Sequence, residues 1–308
     1  MKHAVKVIFI IFLKRPVLFA MGCLACSLFL AGIPLWASGN EPAHHDTEIQ
    51  ETTSHGNAHS GNGLGISLDV TVASKYIWHG FDEYDDDGGF HPKLEIDLFG
   101  SGFMVEIARW SALTSGHVDH AEMEYGLAYH NHFFHGPLTT AFHTHYIYYH
   151  YHRLDSYQLD KEEIAVGLSW PHLLPLGESA LIPSYTVYRV SPGASGSDVS
   201  EIRGFLHRIA VEYDLKIPGF PSDINAFADI NYNDGMGGHA HLVEHHHEYE
   251  YHLEPADHCW SHATIGISSE FKIGLMTIKP AVNYQISMDD SVNDEDEFWG
   301  SLTVGIHF

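Results

Sequence analysis

The sequence predicts an all-β fold: a transmembrane antiparallel up-and-down β-barrel of about 12 strands, preceded by a cleaved signal peptide. Three observations predict it. Apolar and polar residues alternate with a two-residue period in about twelve runs. The connections between runs are alternately short and long. The chain closes on Ser301-Leu302-Thr303-Val304-Gly305-Ile306-His307-Phe308, an alternating strand that ends in an aromatic residue.

The elements follow in chain order. Lys2, Lys6, Lys14 and Arg15 precede an apolar stretch from Val17 to Leu35 and the small triplet Ala37-Ser38-Gly39. Basic, then apolar, then small is the order of a secretory signal, with cleavage expected after Gly39. The competing reading is a retained helix, since 19 mostly apolar residues nearly span a bilayer. Residues 1–39 are thus assigned as signal peptide and 40–64 as a flexible His/Ser/Gly-rich periplasmic leader, whose composition predicts disorder. Residues 65–308 are assigned as the barrel. Cleavage removes four of the 15 bases and takes the formal charge from −25 to −29, an acid excess that rules against nucleic acid and points to cations or basic partners. Of three cysteines only Cys259 remains, so no intramolecular disulfide is available.

No stretch after residue 39 is apolar for long enough to be a transmembrane helix. The alternating runs start near residues 66, 92, 103, 121, 138, 162, 180, 204, 222, 260, 275 and 297. Each is about 9 to 14 residues long, enough to cross a membrane as a tilted strand. The cleanest places Met276, Ile278, Pro280, Val282, Tyr284 and Ile286 on one face and Thr277, Lys279, Ala281, Asn283 and Gln285 on the other. In the final run Leu302, Val304, Ile306 and Phe308 face lipid and form the expected assembly signal, while Ser301, Thr303 and His307 face the lumen. Tyr76, Trp78, Trp110, Trp170, Tyr188, Trp260 and Trp299 sit at run ends, where a membrane barrel carries interfacial aromatic girdles. Arg109 falls on the apolar face, either snorkelling at a membrane edge or marking a shifted register. The segment 139–151 carries His and Tyr on both faces, which leaves its lipid side open.

The polar faces carry full charges, suited to a wet lumen and ill suited to a packed core. They assign as pore-lining the acids Asp69, Glu95, Asp97, Glu106, Glu122, Glu124, Glu163, Glu212, Asp214, Asp229 and Glu270, and the bases Lys75, Lys93, Arg208, Lys216, Lys272 and Lys279. Such an excess of acid attracts cations. It predicts an outer-membrane channel for passive diffusion of small hydrophilic solutes with a cation preference, and not an enzyme. The alternative inside the barrel is mutual pairing of acids and bases that plugs it.

The 27 histidines are far above ordinary usage. His239, His241, His245, His246, His247, His252 and His258 fall in one long connection and form a candidate site for weak divalent-metal binding, with no fixed ligand spacing. No other cofactor is expected. A His-rich surface metal-capture barrel is therefore one rival function. An outer-membrane phospholipase-like enzyme is another, since His143 and His145 share a strand face, but no serine sits in a Gly-x-Ser-x-Gly turn. The acidic runs 82–87 and 289–297 lack calcium-loop spacing and read as solvated charge.

The segment Ser67-Leu68-Asp69-Val70-Thr71-Val72-Ala73-Ser74-Lys75-Tyr76-Ile77-Trp78-His79-Gly80-Phe81 resembles the opening of the TorF-type porin family of Gram-negative outer-membrane proteins, a strand with a Ser-x-Tyr core and a glycine soon after. The stretch Ala121-Glu122-Met123-Glu124-Tyr125-Gly126-Leu127-Ala128-Tyr129 is similar to that family's acidic-apolar strand. The chain departs from the pattern at His79, where the family commonly has arginine, and in the His-rich insertion near residue 240. The resemblance implies a channel in the bacterial outer membrane. Its partners would be lipid and lipopolysaccharide, the barrel-assembly machinery and small hydrophilic solutes or cations. It supplies no catalytic residues.

Overall fold

Alternating runs of this kind cannot bury both faces, so they pair edge to edge until the sheet closes. The computed structural model describes residues 64–308 except 116–120, 153–159, 177–178, 194–201, 218–219, 221, 238–239, 246–247 and 254–255; residues 240–245 and 248–253 are described by backbone alone. The expected signal peptide 1–39, and the leader as far as residue 63, lie outside the described residues.

Twelve strands form the wall: β1 (Gly65–Ala73), β2 (Gly89–Asp97), β3 (Phe103–Ala112), β4 (Glu122–Phe133), β5 (Thr140–Tyr151), β6 (Lys161–Ser169), β7 (Ser179–Pro192), β8 (Gly204–Leu215), β9 (Ile224–Asp234), β10 (His258–Ser269), β11 (Met276–Ser287) and β12 (Glu297–His307). Each pairs antiparallel with its neighbours in sequence, and β12 pairs back onto β1 with Val70 opposite Val304 and Leu68 opposite Ile306. The result is a closed twelve-stranded antiparallel barrel. Phe308 continues the seam, its N–H donating to the Ile66 carbonyl at 2.8 Å. Short connections such as 98–102 and 270–275 lie at one end, and long ones such as 74–88 and 288–296 at the other.

The faces are inverted relative to a water-soluble barrel. Leu68, Val72, Ile209, Ile265, Ile267, Ile286, Leu302 and Val304 are exposed on the outside, while Asp69, Lys93, Glu106, Glu163, Arg208, Glu212 and Lys279 are buried inside. An apolar band of this extent is unfavourable in water and favourable in lipid. The described residues contain no helix long and apolar enough to cross a membrane; the wall consists of strands.

Where one face was open in sequence, the structure assigns it. In β5 His143, His145, Ile147, Tyr149 and Tyr151 take the inward parity, leaving Phe142, Thr144, Tyr146 and Tyr148 outward. Arg109 keeps the outward parity without a register shift, close to the long-connection end, where its guanidinium can reach the membrane edge. A bulge does occur between β9 and β10, at Asn231/Tyr232, and it turns Trp260 outward while Ser261 and His262 stay buried.

The aromatic girdle requires correction. Trp260 is exposed and Trp170 half-buried, but Tyr76, Trp78, Trp110, Tyr188 and Trp299 are buried inside the barrel. They form one apolar cluster with Phe81, Tyr84, Ile147, Tyr149, Tyr151, Ile202 and Leu206. The reason is parity. Trp110 lies two residues from Ala108 and four from Glu106, both of which point inward.

Candidate functional site

The interior is stacked in two layers. Toward the short connections lies a layer of charge. Toward the long connections the first long connection, residues 74–88, folds into the barrel and supplies the aromatic layer.

The local sequence explains the fold of this connection. Ile77–Trp78 pairs with Phe81–Asp82 in a minimal hairpin, and the turn between them places His79 and Gly80 at φ of +50° and +94°. Glycine adopts that region freely, and a Cβ on Gly80 would lie 2.4 Å from the His262 ring. His79 adopts it under strain, so its surroundings must hold it there. They do. His79 Nε2 lies 2.7 Å from Glu163 Oε2, and Glu163 Oε1 lies 2.8 Å from His145 Nε2, so one wall carboxylate joins the connection to β5. Tyr149 donates its hydroxyl to the same carboxylate at 3.3 Å.

Further contacts ring the connection. Trp78 donates its indole N–H to the Tyr149 hydroxyl at 3.4 Å and carries the Lys161 ammonium 3.6 Å above its ring. Lys161 also lies 3.8 Å from Glu83. Tyr76 stacks on Trp110 at 4.2 Å, and Trp110 stacks on His91 at 4.2 Å, giving three parallel rings across the mouth. The Tyr76 hydroxyl donates to Glu122, and Gln285 donates to the Gly80 carbonyl at 2.8 Å. At the rim, Lys75 bonds Asp86 and Glu297 and lies 3.9 Å from Asp82. Those three carboxylates are close enough to ligate a metal, but the Lys75 ammonium sits among them.

Burial governs titration in the connection. It pushes the Glu83 carboxyl up despite the nearby Lys161, and pushes Asp82 up despite backbone N–H bonds from Asp86 and Tyr84. Burial alone would lower Lys75, but its bonds to Asp86 and Glu297 raise it above the ordinary lysine value.

Below the connection, Arg208 clamps Asp229 with Nε and Nη2 each at 3.0 Å, and Lys93 lies 3.3 Å from Glu95. His79, Gly80, Arg208, Asp229, Asn231, His262, Gln285 and Trp299 help line a cavity of about 20 Å³, room for about one water. Among the described residues the buried interior groups comprise ten carboxylates against four lysines and arginines, Asp160 and Glu162 being buried on the outward parity beside Tyr148.

Of the expected lining residues, Asp69, Lys93, Glu95, Glu106, Glu122, Glu124, Glu163, Arg208, Glu212, Asp229 and Lys279 are buried in the interior. Asp97, Asp214 and Glu270 are half-buried near the short-connection end, and Lys75 is half-buried at the opposite mouth. Lys216 is exposed past the end of β8, and Lys272 is exposed in the short strand Phe271–Ile273, opposite Thr277 of β11 and 3.2 Å from Glu270. Sequence reasoning missed His79, Glu83, His91, Lys161, His262 and Glu297, all buried. Parity could have found His91, two residues before Lys93. No local pattern marks His79 or Glu83. His143 and His145 take the interior face rather than lipid, which removes the geometry a lipid-facing Ser–His pair requires. Of the candidate metal histidines, His239, His246 and His247 lie outside the described residues; His258 is exposed and lies 2.6 Å from Asp234.

No family model matches this chain, and no curated protein matches it in sequence. Solved structures of similar architecture include LpxR from Salmonella typhimurium, at 9% identity and TM-score 0.44, covering 79% of this chain and 100% of that one. An outer membrane channel from Pseudomonas putida F1 matches at 11% identity and TM-score 0.43, covering 80% and 96%. The translocator domain of autotransporter NalP from Neisseria meningitidis matches at 10% and 0.36, covering 83% and 92%. The likeness is one of barrel architecture alone.

Proposed function

We propose that the chain is a bacterial outer-membrane channel for small hydrophilic solutes, preferring cations and closed at rest by residues 74–88. The observation that carries this reading is the combination of an apolar exterior with an interior where buried carboxylates outnumber lysine and arginine ten to four. Fixed acid inside a low-dielectric wall concentrates cations and repels anions. The class is also the one the TorF-type resemblance implies, and a lipid-facing wall brings lipopolysaccharide and the assembly machinery as partners. Passage requires the first long connection to leave the mouth, because its aromatic side chains fill the section that solutes would cross.

The test is single-channel recording in planar bilayers under a potassium chloride gradient. Rare openings with a zero-current potential of potassium sign are expected. Anion preference, or silence even after the connection is released by mutation, overturns the proposal.

A pH dependence follows. Asp82 and Glu83 bind protons more tightly in the docked connection than in a released, solvated one. A carboxyl raised in the docked state stabilises docking as pH falls through that raised value, and adds nothing more below the ordinary value near 4. Lys75, being raised, keeps its full contribution until well into the alkaline range. Open probability should therefore fall as pH drops from 7 toward 4. A constant or rising open probability over that range contradicts the assignment of these groups to docking.

A further inference from the structure

The longest connection, between β9 and β10, carries a hairpin of its own. Ala240–His245 pairs antiparallel with Glu248–Leu253, setting His241 opposite His252, Val243 opposite Glu250 and His245 opposite Glu248. Opposed residues share a face, and faces alternate at every residue. One face therefore holds His241, His245, His252, Glu248 and Glu250 with Val243; the other holds Ala240, Leu242, Tyr249, Tyr251 and Leu253 with Glu244. All three histidines of the two strands thus fall on the same face. Composition alone does not dictate that sorting; the register does.

We propose that His241, His252 and Glu250 form a binding site for a divalent transition-metal ion, independent of conduction through the barrel. Directly opposed positions place their Cβ atoms about 4.5–5.5 Å apart. Histidine nitrogen is a preferred ligand of zinc, and the register sets two histidines at directly opposed backbone positions. Glu250 occupies the diagonal position to His241 on the same face, about 7–8 Å away. His245 is four residues along the strand from His241, about 13 Å at the strand rise, and belongs to a separate pair with Glu248. Two imidazoles and a carboxylate suit zinc, copper(II) or nickel, with solvent completing the shell. The same connection carries Glu244, Glu248, Glu254 and Asp257 in its sequence, an acid content that favours cations.

Zinc alone, titrated calorimetrically into the full chain folded in detergent micelles, tests the proposal. Binding tighter than about 1 mM is expected. The paired substitution His241→Ala with His252→Ala should weaken it by at least the roughly 10–100-fold that loss of an outer-shell partner costs a metal site. His246→Ala with His247→Ala removes the same number of imidazoles from outside the register and should leave the affinity nearly unchanged. Unaltered heat-modifiable mobility in gels establishes that each variant keeps its barrel. Wild-type binding weaker than 1 mM, or equal losses in the two paired variants, overturns the site; equal losses would mean that histidine content, not register, holds the metal.

Discussion

Trp78→Ala should turn a rarely open barrel into a frequently open one. The indole is 5% exposed, lies 4.4 Å from the His79 ring and 5.9 Å from that of Tyr149, and carries the Lys161 ammonium on its face. Truncating a buried tryptophan costs about 3–5 kcal/mol. Here that cost falls on docking of the connection, because Trp78 belongs to none of the twelve strands whose hydrogen bonds close the wall. At about 1.4 kcal/mol per tenfold, the ratio of docked to released connection should drop by roughly two to three and a half orders of magnitude. Single-channel open probability reads the change, and unaltered heat-modifiable mobility shows that the wall survives. An intact barrel with unchanged open probability would mean that residues 74–88 do not close the channel. His79→Gly removes the Glu163 contact together with the strain of a Cβ-bearing residue at φ +50°, so the two effects partly offset each other and its opening should be smaller.

The wall was legible in the sequence and the mouth was not. Strand number, order and inward parity follow from a two-residue period that each segment carries in its own residues. Leu302, Val304 and Ile306 face outward as their alternation requires. The fate of residues 74–88 is decided elsewhere in the chain. Tyr76 finds Glu122 and Trp110, His79 finds Glu163, and Gly80 finds Gln285, partners that neighbour one another only after closure. An aromatic ring with a polar tip suits a membrane interface and a polar interior equally well, so residue type could not choose between girdle and mouth. For Trp110, Tyr188 and Trp299, parity could have chosen. Each lies an even number of residues from an inward polar side chain: Glu106, Thr186 and Thr303 respectively. The inward burial of acids such as Glu106, Glu163 and Asp229 follows from the same period, whereas Lys216 past the end of β8 and Lys272 in the short strand Phe271–Ile273 are exposed. Register in the 240–253 hairpin was not legible, since the histidines there suggest a composition rather than a face.

Asp229→Ala should be among the most destabilising single changes in the wall, costing about 3–5 kcal/mol. Its carboxylate accepts from Arg208 Nε and Nη2, from Asn231 Nδ2 at 2.8 Å and from the Thr264 N–H at 3.3 Å, with the two charged side chains 4% and 1% exposed. Alanine leaves the guanidinium without this counter-charge and withdraws the acceptor from three donor groups. The paired change Arg208→Met with Asp229→Leu removes both charges and keeps the volume, so it should recover most of the loss. Denaturant midpoints of the folded barrel in detergent separate the outcomes. If the paired variant is as unstable as the single one, the ion pair contributes net stability. If it recovers, the pair fixes the interior arrangement at little net gain, and cation preference should persist, because removing one charge of each sign leaves the excess of carboxylates unchanged.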